Sequence, residues 1–370
     1  MWALQLSLWL GVVEGLATPR RAARGVGNNV AAGSNAEEEE EAMCVRSPLR
    51  WAGPYPTLAL RFPALATAAQ KARGASGVSL DFIVDTAANV NTINARVASE
   101  LGLAQVGSAP AGAGASGAID GGATFMLGDC ELDEVAEGEE RFLFAAGLTA
   151  SALPVAAPAA AGLLGVGFLF AFPGGVAFDW DSTTPAVTFF GDAIGSADAT
   201  EGLCLVPARQ LTETGLVVVQ LVVNGVSIDA LLDTGSPITV LNAAAASAAG
   251  VAFPRAPPPN EKKGGAANPF ARFAENLAEN LRTASGPTTA GDLRIAGGDG
   301  APVDLRRTAP TAMALGDADL GTDLTCYVGD LPGLALLSGL GAAAGPAAVL
   351  GTDLLRRRTS LLLRDGKVYV

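Results

Sequence analysis

The 370-residue sequence contains no histidine. This absence excludes Ser-His-Asp and Cys-His nucleophilic sites, histidine-based zinc sites and imidazole general bases. Any acid–base chemistry in this chain therefore falls to carboxylates, lysine, tyrosine or cysteine.

Cysteine is also scarce, with four residues at positions 44, 130, 204 and 326. No Cys-x-x-Cys spacing occurs, so neither a zinc ribbon nor a redox dithiol is expected, while a disulfide between a distant pair stays open. Basic residues are outnumbered, because 24 Lys and Arg against 37 Asp and Glu give a net charge of −13. A nucleic-acid binder needs a basic face, so no nucleic acid is expected as a partner.

Residues 1–50 are predicted to be a leader. The apolar stretch Trp2 to Val13 is too short to span a bilayer comfortably and resembles a signal-peptide core. Residues 18–35 carry arginines and no acid, which is the composition of a transit peptide. Together they indicate the secretory pathway or a plastid, with a plain disordered tail as the alternative. The run Glu37 to Glu41 is a like-charge block that solvent would surround.

The rest of the chain is organised by an internal repeat. Residues 78–88 and 226–236 align at a constant offset of 233 − 85 = 148, with identical Val, Ser, Asp, Asp and Thr residues. Both copies are followed by a short Ala-rich stretch, at 95–101 and 243–249, that predicts a helix closed by glycine. A repeat of this length predicts two similar halves.

Each copy presents one aspartate after an apolar strand. Leu231-Leu232-Asp233-Thr234-Gly235-Ser236 is typical of a buried strand that ends in a tight turn. A carboxylate between apolar walls is costly unless it is paired or hydrogen-bonded. A turn-capping aspartate is the simpler interpretation of one such residue. Asp85 at the same place in the first copy favours a paired site.

Other elements recur in both copies. Glycine-rich segments lie at 113–117 and 283–286, and apolar-apolar-glycine elements end at Gly165 and Gly351. The Asp-to-Gly spacing is 165 − 85 = 80 in the first copy and 351 − 233 = 118 in the second, so an insertion is predicted at 253–281. Its second part predicts a helix packed on the second half, with a functional lid as the alternative.

Two uncharged stretches, 142–178 and 331–353, are interrupted by glycine and proline. They are therefore predicted to form β core rather than membrane-spanning helices.

These motifs resemble the aspartic peptidases, and the loop after Asp233 is most similar to retropepsin-like domains. The resemblance implies an all-β protein with short helices, in which two similar retropepsin-like barrel lobes, 51–200 and 201–370, hold a cleft between them. It implies an aspartic-type endopeptidase that acts on a peptide or protein substrate. No cofactor, metal or membrane span is expected, and the protein is expected to be a monomer that works as an internal pseudo-dimer.

The resemblance also assigns roles to residues. Asp85 and Asp233 would be catalytic, and the remaining roles fall into two groups. The dyad-supporting residues would be Thr86, Thr234, Gly235 and Ser236. The substrate-binding flaps would contain Gly114, Ser116, Gly117, Ser285 and Gly286.

Ala87 is a departure from the family pattern, because it stands where the family has glycine. The alternative function is therefore a catalytically impaired retropepsin-like module that binds a peptide or protein. A third hypothesis, an unrelated β protein with coincidental Asp-Thr matches, conflicts with the in-register repeat.

Overall fold

The computed structural model describes most of the chain from residue 44 onward. The described residues are 44–109, 112–114, 117–119, 121–134, 143–153, 159–180, 183–191, 198–252, 293–296, 302–337, 340 and 345–370. The predicted insertion at 253–281 and the leader up to residue 43 lie outside them.

Strands dominate the described residues. In chain order they are β1 (Cys44–Pro48), β2 (Arg50–Ala52), β3 (Tyr55–Phe62), β4 (Val78–Val84), β5 (Thr92–Ile93), β6 (Ala104–Ser108), β7 (Gly112–Gly114), β8 (Gly117–Ile119), β9 (Ala123–Leu132), β10 (Leu143–Ala152), β11 (Gly162–Leu164), β12 (Gly175–Asp179), β13 (Ala186–Phe190), β14 (Leu205–Val206), β15 (Ala208–Gln210), β16 (Val217–Val223), β17 (Val226–Leu232), β18 (Val240–Leu241), β19 (Leu293–Ala296), β20 (Pro302–Arg307), β21 (Thr311–Leu315), β22 (Ala318–Leu324), β23 (Tyr327–Gly329), β24 (Ala347–Leu350), β25 (Ser360–Arg364) and β26 (Lys367–Tyr369).

The helices are short. They are α1 (Ala68–Ala72), α2 (Ala95–Glu100), α3 (Val166–Leu169), α4 (Ala243–Ala248) and α5 (Thr352–Leu355), with 3₁₀ turns at Pro63–Leu65, Asp198–Thr200 and Pro332–Leu336.

Each half of the chain builds its own barrel-like sheet. The first is eight-stranded, in the order β2-β3-β4-β11-β5-β10-β9-β6. The second is ten-stranded, in the order β19-β20-β23-β18-β24-β17-β16-β21-β22, with β15 paired to β16. The parallel pair β4–β11 in the first sheet corresponds to the parallel pair β17–β24 in the second. The predicted fold class, mainly β with two similar lobes, is confirmed.

A third sheet, called the bridging sheet below, contains strands from both halves. Its six strands run in the order β1-β13-β12-β25-β26-β14, and the antiparallel pair β12–β25 joins the two halves. The register pairs Val176 with Leu363 and Asp179 with Ser360.

The turn sequences of two hairpins suit the backbone conformation that each turn requires. Asn224-Gly225 joins β16 to β17 with φ angles of 49° and 80°, and Asp365-Gly366 joins β25 to β26 with φ angles of 51° and 69°. Two consecutive left-handed residues match the twist of a two-residue hairpin, and Asn, Asp and Gly adopt that conformation at least cost.

The two uncharged stretches are parts of the sheets. The stretch 142–178 contains β10, β11 and most of β12, and the stretch 331–353 contains β24. Among the described residues, no helix has the length and apolar character to cross a bilayer.

Two details of the sequence analysis change. The leader was predicted to extend to residue 50, whereas Cys44–Pro48 pairs with β13 and Arg50–Ala52 pairs with β3, so residues 44–50 belong to the sheets. The alternating burial of β1, where Ser47 is buried between exposed neighbours, provides the physical reason. All four cysteines are free thiols, so the distant disulfide that the spacing left open is not formed.

Candidate active site

Asp85 and Asp233 lie in two loops, called the dyad loops below, that follow equivalent strands. β4 ends at Val84 and β17 ends at Leu232, one residue before each aspartate. The Asp85 N–H donates to Leu164 O at 2.9 Å, and the Asp233 N–H donates to Leu350 O at 3.0 Å. The parallel neighbouring strand therefore supports each aspartate from behind.

The glycine that follows each supporting strand is required by close packing. A Cβ atom on Gly165 would lie 2.5 Å from Ala88 O, and one on Gly351 would lie 2.4 Å from Ile238 O. Since real Cβ contacts are not this short, any larger residue would displace the dyad loop. The apolar-apolar-glycine elements of the sequence thus lie against the two loops.

Thr86 and Thr234 connect the two loops through four hydrogen bonds. The Thr86 N–H donates to Thr234 Oγ1 at 3.1 Å, and the Thr234 N–H donates to Thr86 Oγ1 at 3.0 Å. Each hydroxyl donates to a carbonyl of the opposite strand, Thr86 to Leu232 O at 2.8 Å and Thr234 to Val84 O at 2.7 Å. Both side chains are fully buried, so this reciprocal set fixes one loop against the other.

The carboxyl groups of Asp85 and Asp233 meet in direct hydrogen-bonding contact. Asp85 Oδ1 accepts the N–H of Ala87 at 2.8 Å. Asp233 Oδ1 is buried and, among the described residues, accepts no hydrogen bond from an N–H or hydroxyl donor. A carboxylate is only an acceptor, so the contact between the two groups is favourable when one of them carries a proton.

The electrostatics agree with a shared proton. Burial raises the pKa of Asp85 to about 6, against the backbone N–H groups of Ala87 and Ala88, which lower it. Burial and then the negative charge of Asp85 raise the pKa of Asp233 well above its ordinary value. Both residues keep part of their surface open to solvent, so water can reach the pair.

Gly235 and Ala87 hold corresponding positions in the two loops. A Cβ atom on Gly235 would lie 2.4 Å from Asp85 Cγ, so this position has no room for a side chain. The Ala87 side chain is partly buried and packs against an apolar cluster that includes Val166 and Ile238. The loop of Asp85 thus accommodates the Ala87 methyl group while the hydrogen bonds between Thr86 and Thr234 are kept.

The Ser236 hydroxyl does not contact the dyad. It donates to Ile238 O at 2.8 Å, within its own loop. The Ser236 carbonyl accepts the N–H of Thr352 at 2.8 Å and its hydroxyl at 3.1 Å. Through its backbone N–H, Ser236 also stabilises the negative charge of Asp233.

Part of the predicted flaps is described. β7 pairs with β8 so that Gly114 lies opposite Gly117, and Cα atoms of both strands lie within 8 Å of Cα atoms in the 3₁₀ turn Pro332–Leu336. The first flap hairpin thus approaches the second half of the chain. Ser116, Ser285 and Gly286 lie outside the described residues.

Sequence reasoning missed the Thr239–Asp353 pair behind the second loop. The Thr239 N–H donates to Asp353 Oδ2 at 3.0 Å and its hydroxyl to Oδ1 at 2.7 Å. The Gly351 N–H donates to Thr239 Oγ1 at 3.0 Å, as the Gly165 N–H donates to Asn91 Oδ1 at 3.0 Å in the first half. The repeat offset, 239 − 91 = 148, contains the signal for this equivalence.

Tyr55 is a second residue that the sequence analysis did not assign to the site. Its ring is buried beside Ile83, and burial followed by the charge of Asp233 raises the pKa of Tyr55 to about 12. The phenol therefore stays neutral beside the dyad.

Within the described part of the chain, no group of three or more His, Cys, Asp or Glu residues has the arrangement of a metal site. The chemistry that the site offers is proton transfer between two facing carboxyl groups and a water molecule.

The barrel-based all-β fold is consistent with an aspartic-peptidase-like fold. A scan of protein-family models and a search of curated proteins both find no match. Among solved structures, basic 7S globulin from soybean shows 13% identity and a TM-score of 0.43, covering 89% of this chain and 94% of that one. The structure of edgp shows 12% identity and a TM-score of 0.43, covering 90% and 95%. Conglutin gamma from lupine seeds shows 14% identity and a TM-score of 0.40, covering 89% and 95%.

Proposed function

We propose that this chain is an aspartic-type endopeptidase in which Asp85 and Asp233 activate a water molecule. The observation that carries the proposal is the contact between the two carboxyl groups, one from each half of an internal repeat. Two carboxylates this close cannot both ionise cheaply, so the pair keeps one proton over a range of pH. The two titration steps belong to the pair and not to either residue alone.

The one-proton state supplies both an acid and a base. The ionised carboxylate takes a proton from water, whose oxygen bonds to the scissile carbonyl carbon, while the protonated carboxyl donates to the carbonyl oxygen. The resulting tetrahedral diol collapses as the C–N bond breaks. The nitrogen leaves with a proton from one carboxyl group, and a diol hydroxyl gives its proton to the other carboxylate as the product acid forms, so the pair returns to its one-proton state.

Thr86, Thr234 and Gly235 act as positioning residues in this proposal. The threonine network holds the two loops at a fixed separation, and the bare Gly235 backbone lets Asp85 approach Asp233. Positioning errors of about 1 Å can cost around a hundredfold in rate. Ser236 contributes its backbone N–H.

An extended peptide is the substrate that the strands around the dyad fit best. Flap strands β7 and β8 offer backbone groups for strand-like pairing with such a peptide. Gly114 and Gly117, with Ser116, Ser285 and Gly286 outside the described residues, are proposed to contact it. The chain would act as a monomer whose two lobes replace the subunits of a dimer.

The test is a pH series of peptide cleavage by wild type, Asp85→Asn and Asp233→Asn. Each substitution removes one member of the acid–base pair, so we expect kcat/KM to fall by about a thousandfold or more. Asp317→Asn, which changes an exposed carboxylate in the turn between β21 and β22, is the matched control and should keep wild-type activity. Full activity in either single dyad variant would refute the mechanism.

Ala87→Gly separates the enzyme from the binding module. An active wild type supports the endopeptidase, since the loop accommodates the methyl group with its hydrogen bonds intact. If wild type binds peptides without cleaving them and Ala87→Gly cleaves, the binding module is the correct function.

The domain division and the leader also remain proposals. We place the first lobe at 51–200, extended by the strands at 44–50, and the second at 201–370. Residues 1–43 would direct the chain to the secretory pathway or a plastid. Expression of this segment fused to a fluorescent protein tests the address, and a fusion that stays diffuse in the cytosol would overturn it.

A further inference from the structure

A cavity of about 320 Å³ lies where the two halves of the chain join. Its apolar wall includes Phe170 and Phe172 from the first half and Val217 from the second. Its polar lining includes Arg364 and Lys367, which flank the Asp365-Gly366 turn. An apolar wall with two cations fits a chain segment that carries carboxylates.

The two cations have little negative charge to neutralise them. The Arg364 side chain is only 19% exposed, and its Nε atom lies 3.5 Å from an oxygen of Asp365, whose side chain is 65% exposed. A contact at that distance with a solvated partner contributes little. Lys367 is exposed, and no ion pair to it is found among the described residues. Two such cations on one cavity stand out in a chain of net charge −13.

The cavity lies at the end of the bridging sheet where the chain enters β1. Cys44 pairs with Phe190, and Phe190 pairs with Gly175, which lines the cavity. Cys44 is thus two strand positions from the cavity, roughly 10 Å at the usual strand spacing. A Cβ atom on Gly175 would lie 2.3 Å from Leu363 O, so strand β25 packs directly against the backbone of Gly175.

Five consecutive glutamates, Glu37 to Glu41, precede Cys44 by only two intervening residues. An extended chain advances about 3.3 Å per residue, so the segment from Glu37 to Cys44 can span roughly 23 Å. This reach exceeds the roughly 10 Å from Cys44 to Gly175. A Cβ atom on Gly175 would lie 3.0 Å from Arg364 Cβ, and Arg364 pairs with Lys367.

We propose that the acidic segment Glu37–Glu41 docks on the cavity between the two halves, with its carboxylates on Arg364 and Lys367. A single exposed ion pair is weak, but a tethered segment is present at an effective concentration in the millimolar range. The five adjacent carboxylates give the two cations several alternative partners. The docked segment joins the chain before β1 to residues of both lobes.

The test is zero-length carbodiimide cross-linking of the full chain at low ionic strength, read by peptide mass spectrometry. A bond between a Glu37–Glu41 side chain and Lys367 is expected. Exposed Lys71 on α1 is the matched control lysine and should give at least about tenfold less product with this segment, because α1 does not line the cavity. Equal yields at Lys71 and Lys367 would overturn the proposal.

Two variants identify the occupant. Arg364→Gln keeps the reactive lysine and should lower the Lys367 cross-link about tenfold, since a charge-assisted contact is replaced by a neutral one. Replacing Glu37 to Glu41 with glutamine should raise the acetylation rate of Lys367 to that of Lys71. An unchanged rate would show that the segment does not cover Lys367.

Mixing isotope-labelled and unlabelled chains separates the two sources of the segment. Docking within one chain gives cross-links only between peptides of the same label. Mixed-label products in the statistical proportion would instead assign the acidic segment of a second copy to this cavity and overturn the intramolecular proposal.

Discussion

Gly235 lies so close to the Asp85 carboxyl group of the opposite half that no side chain would fit at this position. Its missing Cβ atom would lie 2.4 Å from Asp85 Cγ, 2.6 Å from Oδ2 and 2.8 Å from Oδ1. Ala87, its counterpart, keeps a methyl group that packs on the apolar cluster beside Val166. The two positions share a place in the repeat but face different surroundings, so their substitutions should have different effects.

In the proposed endopeptidase, Gly235→Ala should therefore lower the rate of peptide cleavage far more than it lowers the stability of the fold. The new methyl group has to displace the Asp85 carboxyl, and a displacement near 1 Å can cost about a hundredfold in kcat/KM. Steady-state peptide hydrolysis measures the effect. The matched control is Gly107→Ala in β6, where a Cβ atom would find its closest neighbour 4.0 Å away.

If Gly235→Ala kept the wild-type kcat/KM, the added methyl group would not displace the Asp85 carboxyl group in a way that matters for cleavage, and the prediction would be wrong. A urea unfolding curve for the same variant distinguishes lost positioning from lost structure.

At the scale of the element, the Asp233 loop is held by α5. Asp353 accepts the Thr239 N–H and hydroxyl and the N–H of Leu354, and burial raises its pKa to about 6 against these hydrogen bonds. The Thr239 hydroxyl also accepts the Gly351 N–H. One side chain thus satisfies a buried carboxyl group and a buried N–H group together.

Thr239→Val should lower the free energy of unfolding by about 1 to 3 kcal/mol, because it leaves the buried Gly351 N–H without a partner and removes one of the hydrogen bonds to Asp353. Chemical denaturation measures the loss. Thr239→Ser keeps the hydroxyl and should retain most of the stability. A Thr239→Val protein as stable as wild type would contradict the role of this pair.

The internal repeat predicted most of the strands and helices around the two aspartates. The strands before Asp85 and Asp233 and the helices α2 and α4 follow from the offset of 148, and the supporting glycines follow from a second offset, 351 − 165 = 186, because each is encoded by local pattern. Asp353 escaped prediction because its counterpart, 353 − 186 = 167, is Gly167, so the repeat has no matching carboxylate there. The bridging sheet escaped because it pairs strands from distant parts of the chain, such as β12 with β25, which carry no local signal for each other.

At the scale of the whole molecule, the buried carboxyl groups make stability depend on pH. The pKa values of Asp85 and Asp233 are raised on folding, so between about pH 4 and pH 6 the folded chain binds more protons than the unfolded chain. This contribution to stability is fully present below about pH 4 and is lost as the pH rises through the folded pKa.

We therefore expect wild type to lose roughly 2 kcal/mol relative to Asp85→Asn when the pH is raised from about 4 to about 7. Urea denaturation of both proteins at the two pH values gives the difference, and other groups that titrate equally in both proteins cancel. A difference that is constant with pH, or that changes in favour of wild type, would contradict the shared proton. Asp317→Asn, an exposed carboxylate, should show no such trend.

The bridging sheet also has a consequence for how the protein is made. β1 and β13 emerge from the ribosome early, whereas β25 and β26 emerge after both dyad loops. The middle of the sheet cannot be filled until those late strands arrive, and until then the two lobes have no shared strands to hold them face to face. Synthesis thus delivers Asp233 before the framework that aligns it with Asp85, so the two carboxyl groups are expected to be held together only after translation has passed β26.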